Sequence, residues 1–150
     1  MGHEIRIAII EDCPAVDAIV SAAYSHYVPR IGREPGPMGD DYATLIRAGR
    51  VHVIESGGTV QGLLVLLPEK DTMLLDNVAV DPIRRGSGVG RKLLEFAEQA
   101  ALKAGYRSIR LYTNEAMTEN IALYTRIGYV ETHRGEEKGL RRVYMTKHIT

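Results

Sequence analysis

The chain has 150 residues, 45% of them hydrophobic and 25% charged, with 19 basic residues against 19 acidic ones and a single cysteine, Cys13. That length and mix predict one soluble globular domain, 1–150, with enough burial for an ordinary core. Balanced charge removes any general drive toward nucleic acid or an anionic membrane. No apolar run approaches the roughly 18 residues of a membrane span, and one thiol excludes an intrachain disulfide and fits a reducing, cytoplasmic setting.

The opening MGHEIRIAII carries Glu4 and lacks the apolar region and small-residue cleavage site of a secretion signal; Arg6 stands where N-myristoylation requires Ser or Thr. Ile5, Ile7 and Ile9 alternate with Glu4, Arg6 and Ala8, which predicts a first strand ending near Glu11. Asp12 as cap and Pro14 in the first turn open a helix that carries Val16, Ile19, Val20 and Ala23 on one face and ends near Tyr27. Cys13 has no basic neighbour to lower its pKa and reads as a packing or surface thiol. Residues 24–42, YSHYVPRIGREPGPMGDDY, are the least regular stretch; a surface connection is one reading and a substrate lid the other. On the second, His26, Tyr27, Arg30 and Arg33 are the candidate acceptor-binding residues, the arginines as a bidentate clamp for a carboxylate. A short helix with Tyr42, Leu45 and Ile46 inward ends at Gly49. VHVIES and TVQGLLVLLPE flank Gly57-Gly58 as a hairpin, and a turn from Pro68 to Asp71 leads to a strand at 72–80.

The stretch from 72 to 104 organises the rest. Its strand, bounded by Asp81-Pro82, feeds a helix over 89–104 with Val89, Leu93, Phe96, Ala97, Ala100 and Ala104 on one face. Between them Gly86, Gly88 and Gly90 alternate, so backbone N–H groups can approach a ligand closely, and the helix start adds free donors and a positive dipole end. Arg84, Arg85, Arg91 and Lys92 crowd that positive end, an arrangement a phosphate or pyrophosphate relieves. A Walker loop and a dinucleotide fingerprint both require glycine where Arg91 stands. Further on, SIRLYT (108–113) is a strand parallel to 72–80, a helix runs from about Met117 to Ile127, Gly128 ends it, and YVETHR and LRRVYMTKHI close the chain around the turn GEEKG. The predicted order is β-α-α-β-β-β-α-β-α-β-β: an α/β fold, not doubly wound, whose mixed and mostly antiparallel sheet has helices on both faces.

Arg85-Gly86-Ser87-Gly88-Val89-Gly90, an R-x-x-G-x-G pattern after the strand Val78-Ala79-Val80, resembles the acyl-CoA-binding motif of the GCN5-related N-acetyltransferase superfamily. ENIALYTRIGY at 119–129, with N-x-x-A-x-x-Y before a Gly-aromatic pair, is similar to that superfamily's other recognisable stretch. The resemblance spans about 50–148. It implies that Val78, Ala79 and Val80 hold the pantetheine arm through their backbone at a splay between two strands, and that residues 85–90 hold the pyrophosphate with Arg91 nearby. It further implies that Asn120 bonds the pantetheine or acetyl region and that Tyr124 protonates the leaving thiolate.

The expected reaction is direct acetyl transfer from acetyl-CoA to a primary amine of a small molecule or peptide, with a backbone N–H near Val80 on the developing oxyanion and no metal. The amine must lose a proton, and the candidate bases are Asp76, Glu115, Glu119 and His26. Asp76 stands out because it interrupts the apolar run of the strand at 72–80, where an acid costs burial energy unless it is paired. Two other classes remain open: a non-catalytic acyl-CoA sensor on the same fold, and a different phosphate binder such as a nucleotide-binding regulatory domain. An exposed sheet edge near the C-terminus offers a surface for a homodimer.

Overall fold

A period of two in the strands and of 3.6 in the helices sorts the apolar side chains onto two faces of one sheet. The computed structural model describes residues 2–150; Met1, the first residue of the stretch read as lacking a leader, lies outside them. Seven strands, β1 (Glu4–Ile7), β2 (Val51–Ser56), β3 (Thr59–Pro68), β4 (Met73–Val80), β5 (Ser108–Asn114), β6 (Val130–Glu137) and β7 (Leu140–His148), lie in the order β1-β2-β3-β4-β5-β7-β6. Every pairing is antiparallel except β4 with β5. Helices α1 (Cys13–Tyr24), α2 (Val28–Ile31), α3 (Tyr42–Arg47), α4 (Val89–Lys103) and α5 (Thr118–Arg126) complete the fold. The architecture is the expected one, with α2 as an added single turn.

On one face Ile54, Leu64, Leu75, Ile109 and Met145 pack against Val89, Leu93, Leu94, Ala97 and Ala101 of α4 and Tyr124 of α5. On the other, Val51, Val53, Leu63, Val65 and Ala79 pack against Val16, Ile19 and Val20 of α1 and Tyr42 and Ile46 of α3. Burying such side chains stabilises the fold by roughly 1.5–3 kcal/mol each before entropy is counted. The buried stripe of α4 is rotated from the expected one: Leu94 and Ala101 are in the core, while Ala104 caps the helix in the open ahead of Gly105, whose φ of 91° ends it. Gly57-Gly58 and Lys138-Gly139 both have positive φ, so both hairpins close in two residues and most of GEEKG is strand rather than turn.

Three local expectations are corrected. β1 ends at Ile7 rather than near Glu11, and Ile7 and Ile9 are 50% and 52% exposed. The cause is Asp12. Its carboxylate accepts the Ile9 amide at 2.8 Å and pairs with Arg6 at 2.8 Å, turning the chain early instead of capping α1. Residues 24–42 are also more regular than predicted, with α2 and two 3-10 turns, Ser25–Tyr27 and Gly36–Gly39. No helix among the described residues is long and apolar enough to cross a membrane, and they contain no cluster of three or more His, Cys, Asp or Glu suited to a metal ion. The outer strand β6 is exposed along its whole length, and Glu131 and Arg134 pair on it, a mixed-charge edge that discourages strand addition.

His52 gives a prediction about stability. It packs on Phe96 with ring centres 4.9 Å apart, its Nδ1 is buried without a partner, and burial lowers its pKa. The unfolded chain therefore takes up a proton near pH 6.5 that the folded chain resists, so stability present above that pH is lost as pH falls through it toward the folded value. The melting temperature is expected to drop more between pH 7.5 and 5.5 in the wild type than in His52→Leu. Equal drops in both would refute the assignment.

Candidate active site

The sheet is complete at one end of β4 and open at the other. β4 pairs with β5 at only three positions, Met73 with Ile109, Leu74 with Arg110 and Leu75 with Leu111. β5 stays on β7 as far as Asn114, opposite Arg142. On its other side β4 pairs with β3, but the register slips between Val65–Asn77 and Leu66–Leu75, which leaves Asp76 as the extra residue of a bulge. A bulge bends its strand and ends pairing. Here it carries 76–80 away from 112–114 and leaves unpaired backbone groups facing a gap. The acid that interrupts the apolar run is thus the residue at which the sheet divides.

On one side of the gap lies a groove of about 400 Å³. Its far wall is the turn into α4, where Asp81 accepts the Ile83 amide at 3.2 Å and Pro82–Arg84 make a 3-10 turn. Gly86 and Gly88 then take φ of 77° and 87°. Only glycine adopts that backbone cheaply. The first helical bond of α4 runs from the Lys92 amide to the Gly88 carbonyl, so the amides just before Lys92 are free for an anion. Arg84 and Arg85 line the groove, and Arg84 Nε is buried with no partner. A cradle of left-handed glycines, open amides and an orphaned guanidinium nitrogen fits a pyrophosphate.

Two expected members of this site stand outside the groove. The Ser87 hydroxyl donates to the Arg84 carbonyl and so braces the turn. Arg91 reaches Glu95 at 3.6 Å and lines an adjoining outer cavity of about 690 Å³ with Arg126 and Lys147. Arg84, one position from the motif arginine, lines the groove, where motif spacing alone assigned it nothing.

On the other side of the gap is a narrow pocket of about 50 Å³. Tyr24, Val78, Asn120 and Tyr124 line both cavities, so the two meet there. Tyr24 and Tyr42 are held by hydrogen bonds. The Tyr24 hydroxyl donates to Asn77 Oδ1 at 2.5 Å and lies 3.0 Å from the Val78 carbonyl. Asn77 Nδ2 donates to the Tyr42 hydroxyl at 2.9 Å, and that hydroxyl donates to the Pro37 carbonyl at 2.6 Å. Tyr124 differs. It is 7% exposed, only burial and the nearby Tyr27 raise its phenol pKa, and no group of the described residues bonds its hydroxyl. A neutral phenol with a free proton therefore stands where the cavities join.

In the small pocket Asp76 accepts the Tyr112 hydroxyl at 2.8 Å. The Arg142 guanidinium lies 4.1 Å over the Tyr112 ring and donates to Glu137 at 2.9 Å. Burial and the Asp76 carboxylate push the Asp40 carboxyl up to about 6, with Arg142 and Lys138 opposing. Tyr24, Asn77, Tyr112 and Arg142 are the pocket residues that sequence reasoning missed.

The expected acceptor residues are distributed differently. His26 and Tyr27 pack in a tilted pair with ring centres 3.9 Å apart and line the groove, not the small pocket. Arg30 pairs with Glu119 at 2.6 Å and donates to the Ala116 carbonyl, and Arg33 donates to the Lys138 carbonyl at 2.8 Å. Neither lines a cavity, so the carboxylate clamp expected of them is not assembled. Among the candidate bases, Glu119 is pulled down to about 2 by the Arg30 bond and Glu115 pairs with Arg141 at 2.7 Å, whereas Asp76 alone lines the small pocket.

A divided parallel pair beside a phosphate cradle, with a buried phenol between two cavities, defines a fold built to place a long phosphate-bearing ligand against a second molecule. Residues 47–131 match the model of the Acetyltransferase (GNAT) domain, and the chain belongs to that family. It is 31% identical over 90 residues to N-acetyltransferase family 8 member 2 of Rattus norvegicus, a match covering 56% of this chain and 40% of that protein. The chain therefore spans about two fifths of that relative's length. Among solved structures, the ribosomal-protein-S18-alanine N-acetyltransferase of Escherichia coli superposes with a TM-score of 0.78 at 20% identity, over 99% of this chain and 95% of that one. The PaiA N-acetyltransferase of Thermoplasma acidophilum, solved in complex with coenzyme A, gives 0.76 at 18% identity over 99% of each chain. At those identities the two structures establish the fold.

Proposed function

We propose that the chain is an acetyl-CoA-dependent N-acetyltransferase that passes an acetyl group directly to a primary amine of a small molecule or peptide. The observation that carries this is the meeting of the phosphate-lined groove and the small pocket at Tyr124. Acetyl-CoA supplies the activated acetyl group as a thioester. Gly86, Gly88, Val89 and Gly90, with Arg84 and Arg85, hold its pyrophosphate, and Val78, Ala79 and Val80 offer strand backbone to its amide arm. Asn120 lines the point where the acetyl end enters the junction. A β4 amide near Val80 donates to the acetyl oxygen as charge builds there. The Tyr124 hydroxyl donates to the departing sulfur, and its burial keeps that proton in place until then. Asp76 receives the proton that the acceptor nitrogen must lose. Cys13 as the single thiol fits a reducing compartment, and a cytoplasmic site of action is part of this reading.

The test is calorimetry with acetyl-CoA, 3′-dephospho-CoA, ATP and NAD, followed by an amine screen read by thiol release. Micromolar acetyl-CoA binding and amine-dependent thiol release are expected. Tighter binding of ATP or NAD would overturn the ligand, and binding without turnover on any amine would leave an acyl-CoA sensor.

A further inference from the structure

The charges around the small pocket do not balance, and the imbalance has a direction. Asp76 lines it and is bonded only by the neutral Tyr112 hydroxyl. The wall's cation, Arg142, is already neutralised: its side chain is 15% exposed, it pairs with Glu137 at 2.9 Å, and its guanidinium lies on the Tyr112 ring. Arg30 and Arg33 are engaged outside the pocket. Asp40 lies outside the lining, and its carboxyl is raised to about 6 by burial first and by the charge of Asp76 second. Among the described residues, then, Asp76 has no ion-pair partner, while the one arginine that lines the pocket, Arg142, already has one. Separately, Tyr124 is more than nine-tenths buried with its hydroxyl unbonded, and it faces this pocket from the groove side. Leu75, Leu111, Met117 and Leu140 supply apolar wall beside the uncharged Thr113 and Asn114, and about 50 Å³ admits a head group and its first methylene and little more.

Resting on the transferase reading, we propose that the acceptor enters as a cation: a primary ammonium on a slim aliphatic stem with no acid group beside it, held by Asp76. A free α-amino acid would bring its carboxylate against Asp76, with the guanidinium of Arg142 already held by Glu137, and juxtaposed like charges are rejected strongly. Asp76 then takes a proton from the bound ammonium. The neutral nitrogen bonds the acetyl carbonyl carbon, the carbon–sulfur bond breaks, and the sulfur takes the Tyr124 proton; the acylated nitrogen gives up its second proton, which solvent relays to the Tyr124 phenolate, and Asp76 releases its own proton to solvent.

The experiment compares pentylamine, norleucinamide and norleucine, which share a stem and differ at the amine-bearing carbon in bulk and charge. Acetylation is followed by thiol release with acetyl-CoA, and amine binding by calorimetry on protein saturated with CoA. Pentylamine is expected to exceed norleucine by about tenfold or more in kcat/KM, with norleucinamide well above norleucine. Asp76→Asn, which keeps an acceptor for Tyr112, is expected to lower kcat/KM for pentylamine by about a hundredfold and to abolish its calorimetric binding, with acetyl-CoA affinity unchanged. Norleucine used as well as norleucinamide would overturn the charge rule, and undiminished pentylamine binding in Asp76→Asn would overturn the role of Asp76. Absence of turnover with every amine would strike the transferase reading instead, while the binding comparison would still decide whether the pocket selects cations.

Discussion

Tyr124→Phe is expected to lower kcat for amine acetylation by about a hundredfold or more while leaving acetyl-CoA affinity within about twofold of the wild type. The substitution removes one oxygen and keeps the ring that packs edge-on against Tyr129 at 5.8 Å, so the core should not notice it. What it removes is a phenolic proton that, among the described residues, no acceptor holds, on a side chain that lines both cavities. Tyr24 donates to Asn77, Tyr42 to Pro37 and Tyr112 to Asp76. Loss of turnover with intact binding, measured by thiol release beside calorimetry, fits a donor to the sulfur. Unchanged kcat would remove Tyr124 from the chemistry, and loss of binding as well would make it a wall of the groove.

Gly88→Glu is expected to weaken acetyl-CoA binding by more than about a hundredfold with the fold retained. Its φ of 87° imposes a backbone cost of roughly 1–2 kcal/mol on any L side chain. The new carboxylate also sits where the amides ahead of Lys92 and the side chains of Arg84 and Arg85 await an anion. No atom lies within 4 Å of the position a Cβ would take there, so the effect is not one of crowding. Gly88→Ala carries the strain without the charge and should fall between the two. If both variants bind acetyl-CoA as the wild type does, the turn before α4 is not the phosphate site.

The parts of the site that could be read from sequence are those built within one short segment. The turn at 85–90 and the Asn120–Tyr124 pair on one helix face show themselves by spacing, because a turn and a helix fix their own geometry. Asp76 was visible as an acid in an apolar run, although only strand register reveals it as a bulge. Tyr24 and Asn77 meet across 53 positions, and neither residue signals the other. Arg142 reaches the small pocket because β7 lies between β5 and β6, opposite Asn114, a placement no local pattern contains. The arginines of the irregular stretch were conspicuous by composition, yet long-range bonds to Glu119 and Lys138 draw them away from the cavities. Alternation alone likewise over-extended β1, because Asp12 bends the chain through a bond that periodicity does not see.

The three residue pairs between β4 and β5 have a mechanical meaning. They form the whole backbone ladder between a four-stranded half, β1 to β4, and a three-stranded half, β5 to β7. Beyond Leu75 and Leu111 the halves are separate leaves, so a ligand whose amide arm lies along β4 acts as a length of missing strand between them. At a hundredfold excess over Kd such a ligand adds about 2.7 kcal/mol of stability, and the exchange of amide protons in 77–80 and 112–114 should slow far more than that in β2 or β3.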